Sequence, residues 1–342
     1  MNLRQRARRI AYRRVGGTGL VLIYHRVADL ERDPQLLAVS PATFDAQMTV
    51  LARDFRVVEL AELADTLHRG RVERRTVAVT FDDGYADNLL AAAPILEAHR
   101  VPATVFVSSG HLDAGREFWW DEVERLVLAP GTLPERIELE AGEGRFSATL
   151  AETATYAPAE AQTPWDVTAS GGDERQRLYA ALCGFLRPLP VVSREEVLAQ
   201  LRRLAGTQTV VRETHRPLTA EEVRRLDALE HIEVGGHTTD HVLLSAQPVD
   251  VQREQIERDR ERLEAVLGHA PAVFSYPYGG LDTYSDDTAE IVKQTGYTAA
   301  CANHSAVVKP WTDPYRIPRI AVGDLGAEAF SAQLEAWFRD PR

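Results

Sequence analysis

The sequence predicts an α/β protein built from parallel β/α units, seven or eight of which would close a barrel. Three observations predict it. Short continuous apolar runs such as LVLIYHRV (20–27), VAVTF (77–81) and PATVFVSS (102–109) read as strands covered on both faces. Stretches of helical spacing separate these runs. Polar clusters follow directly on three of the strands, where β/α barrels place their active sites.

The elements follow in order. Residues 39–55 read as a helix, with Phe44, Met48 and Leu51 at helical spacing. A second helical stretch runs from Asp87 to about His99, and Pro94 should kink or restart it. From about 111 to 216 the chain turns polar and irregular. Within that block WWDEVERLVL reads as a helix, RIELEAGEGRFSATL as a hairpin, and the stretches near 174–186 and 193–204 as helices. The block is expected to be an insertion or cap. The main pattern resumes at Leu218. Thr219 with Glu222 is a capping-box signature for a helix through Leu229, and HIEVGG (231–236) is a strand. A long helix over 249–267 is stopped by Gly268, and AVFSYPYG holds another strand. Ser285 caps a helix through Thr295, closed by Gly296, and YTAACA and RIAV are the last strands. The expected organisation is an arm at 1–18, a barrel at 19–325 interrupted at about 111–216, and a C-terminal helix and tail at 326–342.

Composition sets limits. The 342 residues are 44% hydrophobic and 26% charged, an ordinary globular balance for one large domain or two small ones. A net charge of −12 argues against a nucleic-acid binder. The exception is Arg4, Arg6, Arg8, Arg9, Arg13 and Arg14. They read as a solvated, frayed terminus or as an arm making peripheral contact with anionic lipid headgroups or another acidic partner. Cys183 and Cys301 are too few and too far apart for a disulfide framework or a CxxC metal site. No apolar run reaches the roughly 18 residues a spanning helix needs. No apolar segment follows the basic terminus as in a signal peptide, so a cytoplasmic location is expected.

The chemistry-bearing clusters are Asp82-Asp83-Gly84, His237-Thr-Thr-Asp-His241 and Tyr276-Pro-Tyr278-Gly-Gly. On a helical turn, His237 and His241 would face one metal ion, and a carboxylate from Asp82 or Asp83 would complete a three-ligand site. Such a site leaves a position for water, and the other carboxylate could act as general base. Each cluster also has a plain reading: surface histidines often fall four apart, and Asp-Asp-Gly is most often a turn. Their joint placement after successive buried strands favours the metal.

TFDDGY (80–85), HTTDH (237–241) and YPYG (276–279), with LIYHRV near the start and Gly296-Tyr297, resemble the polysaccharide deacetylase family, carbohydrate esterase family 4. The resemblance covers roughly 19–107 and 218–322. It implies a distorted (β/α)7-type barrel carrying the inserted cap, and a divalent metal, usually zinc, with cobalt or nickel able to substitute. It further implies Asp82 as general base, Asp83, His237 and His241 as metal ligands, and the backbone N–H of Tyr278 as oxyanion donor. Two departures stand out. Many members open the third motif with an arginine that orients the base, and this chain has Ser275 there. Arg319 is the candidate replacement, against the plain reading of a surface or core-rim arginine. No clear Leu-x-His motif supplies the acid, so His304 is the candidate and His25 a weaker one; either is also readable as a structural histidine. Tyr276, Trp119 and Trp120 are candidate substrate contacts, although an aromatic pair at a helix start is more often core. Phe118 reads as core and Asp121 as a helix-terminal charge.

The implied function is removal of an N-acetyl group from an amino sugar in a glycan precursor, glycolipid or glycosylated metabolite. The alternatives are a deformylase or O-acetyl esterase on the same site, and a non-catalytic carbohydrate-binding protein with a decayed site.

Overall fold

Seven short strands form one curled sheet: β1 (Gly19–Tyr24), β2 (Thr76–Phe81), β3 (Ala103–Val107), β4 (Ile232–Gly236), β5 (Val273–Ser275), β6 (Ala299–Cys301) and β7 (Ile320–Ala321). Their spatial order is β6-β5-β4-β3-β2-β1-β7, with a two-residue strand at Arg56–Val57 joined to β2. Every pairing among them is parallel. A bridge between Cys301 and Ile317 links β6 to the chain entering β7. The result is the half-barrel of seven parallel strands that the sequence leads one to expect. The structure is a computed structural model and describes residues 17–142, 144–161 and 163–340. The arginine-rich arm, Arg4 to Arg14, lies outside the described residues.

Period-two alternation sorts the strand residues onto two faces. Leu20, Leu22, Val77, Val79, Val105 and Val107 pack in one cluster with Phe44, Met48 and Leu51 of α1 (Pro41–Asp54). Val21, Ala78, Phe106, Val273 and Ala299 pack in the other, with Leu60, Leu63 and Leu67 of α2 (Leu60–His68). Helix α2 lies outside the elements that the sequence predicts above. The stretch from Asp87 opens as a wide π-type turn at Asn88–Ala92 and restarts as α3 (Ala93–His99). Pro94, which has no N–H to donate, falls in the first turn of α3 directly after that wide turn.

Thr219 and Glu222 form the expected capping box on α4 (Ala220–Asp227), which ends two residues short of Leu229. Next comes α5 (Val249–Leu267), closed by Gly268 at φ +82°, where a side chain would be strained. Ser285 caps α6 (Asp286–Thr295), and α7 (Ala327–Arg339) ends the described chain. Among the described residues, no helix is long and apolar enough to cross a membrane.

The chain divides into two compact units, one of residues 1–29, 38–112 and 218–342, the other of 30–37 and 113–217. The second unit holds the antiparallel hairpin Arg136–Ala141/Gly144–Thr149 and the helices Trp119–Val127, Glu174–Leu186 and Val191–Leu204. Its buried carboxylates Glu117, Glu122 and Glu124 are met by Arg212 and Arg202. Trp119 and Trp120 are each only 5% exposed, and the Trp120 ring stacks on Phe118 at 4.8 Å. This corrects the expectation of a sugar-stacking face: both rings are spent on the core of this unit.

One charge at the N-terminal end of the barrel strands predicts a stability effect. Burial pushes the Glu233 carboxyl on β4 up to about 7, with Glu59 and Asp227 adding to the rise and the Thr104 hydroxyl, which donates to it at 3.2 Å, opposing it. An unfolded Glu titrates near 4.3, so between roughly pH 4.3 and 7 the folded state binds more protons. Stability is therefore lost as pH rises through that window. Glu233→Gln is expected to stabilise the protein at pH 8 by on the order of 1–3 kcal/mol, and by less at pH 5. Melting temperatures of both proteins at the two pH values test this; an equal gap at both would sink it.

Candidate active site and metal centre

Asp82 and Asp83 leave the end of β2 in a tight turn. The Asp82 N–H donates to Tyr24 O at 3.0 Å, and Asp83 (φ +74°) and Gly84 (φ +82°) both take left-handed backbone. That reversal sends adjacent side chains to different partners. One oxygen of Asp83 lies 3.5 Å from His237 Nε2 and 3.2 Å from His241 Nε2. Asp82 instead faces Arg319, whose Nη1 and Nη2 donate to its two oxygens at 2.6 and 2.7 Å.

The two histidines converge, with ring centroids 5.0 Å apart, but not as the sequence reading supposed. The 237–241 segment is an irregular loop rather than a helical turn, and Thr238 (φ +63°) and His241 (φ +47°) are left-handed. His237 Nδ1 donates to Ser275 O at 2.7 Å, which leaves the lone pair on Nε2, the nitrogen facing Asp83. Asp83, His237 and His241 are all buried, and their ligand atoms lie within 4.8 Å of one another. Two imidazoles and a carboxylate match the three-ligand set of a catalytic zinc. The residues present therefore fit a divalent cation.

The electrostatics separate the two carboxylates. Burial alone would raise Asp83, but hydrogen bonds and charge from His237 and His241 hold it well below the usual carboxylate range. Burial opposes ionisation of Asp82 too, and Arg319, then His237, keep it lowered. Burial pulls His237 down, and the charges of Asp82 and Asp83 raise it.

Arg319 is fully buried. Its five N–H groups meet five acceptors: Ala302 O, Thr80 Oγ1, both Asp82 oxygens and Ser275 Oγ. Ser275 also donates to Asp82 at 3.2 Å. The departure at position 275 thus falls beside the cation delivered from position 319, and neither the surface nor the core-rim reading of Arg319 survives.

The remaining candidates separate. Tyr278 (φ +63°) sets its ring edge-on to His241 at 4.7 Å. Tyr276 is corrected as a substrate contact: its ring is fully buried and stacked on Tyr284 at 4.0 Å, and its hydroxyl donates to Tyr315 O. His304 follows β6, and burial lowers its pKa. Besides His237, the charge of His25, which follows β1, acts on both aspartates. The sequence reading missed Asp259 of α5, a buried carboxylate that accepts the backbone N–H groups of His237 at 2.9 Å and Ser109 at 3.0 Å. The available signal was Gln252, Ile256, Asp259 and Leu263, a buried helical stripe half of which is polar.

Among solved structures the fold is similar to the deacetylase PplD of Streptococcus pyogenes in complex with acetate, at 15% identity and a TM-score of 0.59, covering 94% of this chain and 99% of that one. It is similar to IcaB from Ammonifex degensii at 20% identity and a TM-score of 0.58, covering 95% and 98%. It is also similar to a de-N-acetylase from Aggregatibacter actinomycetemcomitans at 15% and 0.56, covering 93% and 99%. No curated protein matches the chain. The polysaccharide deacetylase model matches residues 69–133 and 195–300, which include Asp82, Asp83, His237, His241, Ser275 and Tyr278 and exclude Arg319. With half its length matched in this way, the chain belongs to the polysaccharide deacetylase family.

Proposed function

We propose that the chain is a metal-dependent deacetylase that hydrolyses an N-acetyl group from an amino sugar in a glycan precursor, glycolipid or glycosylated metabolite. One observation carries the reading: adjacent carboxylates are given different partners, Asp83 two imidazoles and Asp82 a buried guanidinium. That arrangement divides cation holding from proton transfer. A cation held by Asp83, His237 and His241, zinc in the first instance and cobalt or nickel as substitutes, supplies Lewis-acid polarisation of the acyl carbonyl and acidifies water.

The protein's own groups do the rest. Asp82, kept ionised by Arg319, takes a proton from the attacking water as its oxygen bonds to the acyl carbon. The backbone N–H of Tyr278 stabilises the developing oxyanion. The C–N bond then breaks, and an imidazolium gives its proton to the leaving amine, so that acetate and free amine result. His25, which is outside the ligand cluster and acts electrostatically on both aspartates, is the acid this reading takes first. The lowered pKa of His304 works against its resting protonated, and it stands second.

The test uses purified protein stripped with a chelator and assayed on N-acetyl, O-acetyl and N-formyl sugars, with precursor-sized and polymeric acceptors. Acetate should be released from N-acetylated amino sugars, should cease on stripping, and should return with zinc or cobalt. Formate as the sole product would make the chain a deformylase, and acetate from O-acetyl sugars alone an esterase. Metal binding without any release would leave a carbohydrate-binding protein.

A further inference from the structure

We propose that α5 is the template of the metal-binding loop: Gln255 and Asp259, one helical turn apart, hold residues 237–241 in their ligating shape through the backbone. This rests on the reading of Asp83, His237 and His241 as a metal site.

The loop needs such support. Thr238 is β-branched and His241 bulky, yet both sit in left-handed backbone, a conformation that persists only where surroundings enforce it. Three N–H groups of the segment donate to α5. His237 N–H goes to Asp259 at 2.9 Å, Thr239 N–H to the Gln255 backbone carbonyl at 3.1 Å, and Asp240 N–H to the Gln255 side-chain oxygen at 2.9 Å. The Gln255 amide returns a bond to the Asp240 carboxylate at 2.9 Å.

The approach is close enough to exclude side chains. A Cβ on Gly236 would lie 2.8 Å from the Asp259 carboxylate, and one on Gly110 would lie 2.4 Å from Thr239 O. The second glycine of HIEVGG thus leaves room for the Tyr297 ring, whose hydroxyl a Cβ would meet at 2.1 Å, and for the Asp259 carboxylate of α5. Asp259 does a further job: through Ser109 it fastens the end of β3 to the same carboxylate that fixes His237. Gln252, on the same helix, spends its side-chain hydrogen bonds on Gln247 and Thr288 instead. It provides the control.

The experiment titrates Zn²⁺ into chelator-stripped full-length protein against a chromophoric competitor, and records the visible spectrum of the Co²⁺-loaded form. Gln255→Met keeps length and removes both side-chain bonds; Asp259→Asn leaves one backbone N–H facing an amide donor. Zn²⁺ affinity should fall roughly 10-fold for Gln255→Met and up to about 100-fold for Asp259→Asn, with Gln252→Met within about twofold of wild type. The Co²⁺ spectrum should change in the first two variants alone. Melting of the stripped proteins checks that each folds, and if Asp259→Asn does not, Gln255→Met decides. Wild-type affinity in Gln255→Met and Asp259→Asn, with affinity lost in His237→Ala, would overturn the template and leave the metal site standing. An equal loss in Gln252→Met would also overturn it, as general softening of the helix. Wild-type protein that binds no Zn²⁺, with His237→Ala indistinguishable, would overturn the site reading and the template together.

Discussion

Asp82→Asn is expected to keep its metal and lose turnover by roughly 100- to 10,000-fold, the range general-base catalysis supplies. Asp82 is not in the three-residue ligand cluster, so Zn²⁺ affinity should stay near wild type. The same change leaves the Arg319 guanidinium buried without its counter-charge. Removing one partner of a buried ion pair costs about 3–5 kcal/mol, so the melting temperature should drop as well. Turnover is therefore compared at a temperature where circular dichroism shows the variant folded. Full activity in folded, metal-loaded Asp82→Asn would remove Asp82 from the mechanism.

Arg319→Met is expected to act through the pH profile. The charge of Arg319 is the main influence opposing the burial of Asp82. Without it burial wins, the Asp82 carboxyl titrates higher, and less of it is ionised at a given pH. The sign follows: kcat/KM falls most on the acid side, and the acidic limb of the profile moves to higher pH. Partial recovery at alkaline pH, with Zn²⁺ affinity retained, separates this role from loss of fold. Arg319→Lys keeps a charge but cannot reproduce the two-pronged contact, so its limb should lie between those of wild type and Arg319→Met. An acidic limb unmoved in Arg319→Met would reduce Arg319 to a packing residue.

The sequence shows the barrel where hydrophobic period and cap chemistry agree. VAVTF, HIEVGG, the helix closed by Gly268 and the helix between Ser285 and Gly296 all lie where local rules put them. Helix α2 was not assigned from the sequence, although its Leu60, Leu63, Ala64 and Leu67 bury one face. The shape of the 237–241 loop was misread for a different reason. Spacing of four is a helical cue, but the backbone there is dictated by α5 and by Gly110, both remote in sequence. The aromatic candidates for substrate contact are settled by the same kind of remote packing. Exposure is a tertiary property: Trp119 and Trp120 follow the commoner reading of an aromatic pair at a helix start, and for Tyr276 nothing local separates core from rim. Arg319 could be reasoned toward only because Ser275 left a role unfilled.

The arginine that neutralises Asp82 comes from beside the last strand of the sheet, while Asp82 itself belongs to the second. During biosynthesis the acidic half of this pair leaves the ribosome long before the basic half exists. Until β7 docks, closing the core around Asp82 would strand an unmatched charge, which disfavours a prematurely sealed barrel. On the mechanism proposed above, catalytic competence is in this way tied to completion of the polypeptide: a chain clipped before Arg319 would lack the charge that keeps Asp82 ionised, and its expected activity is low.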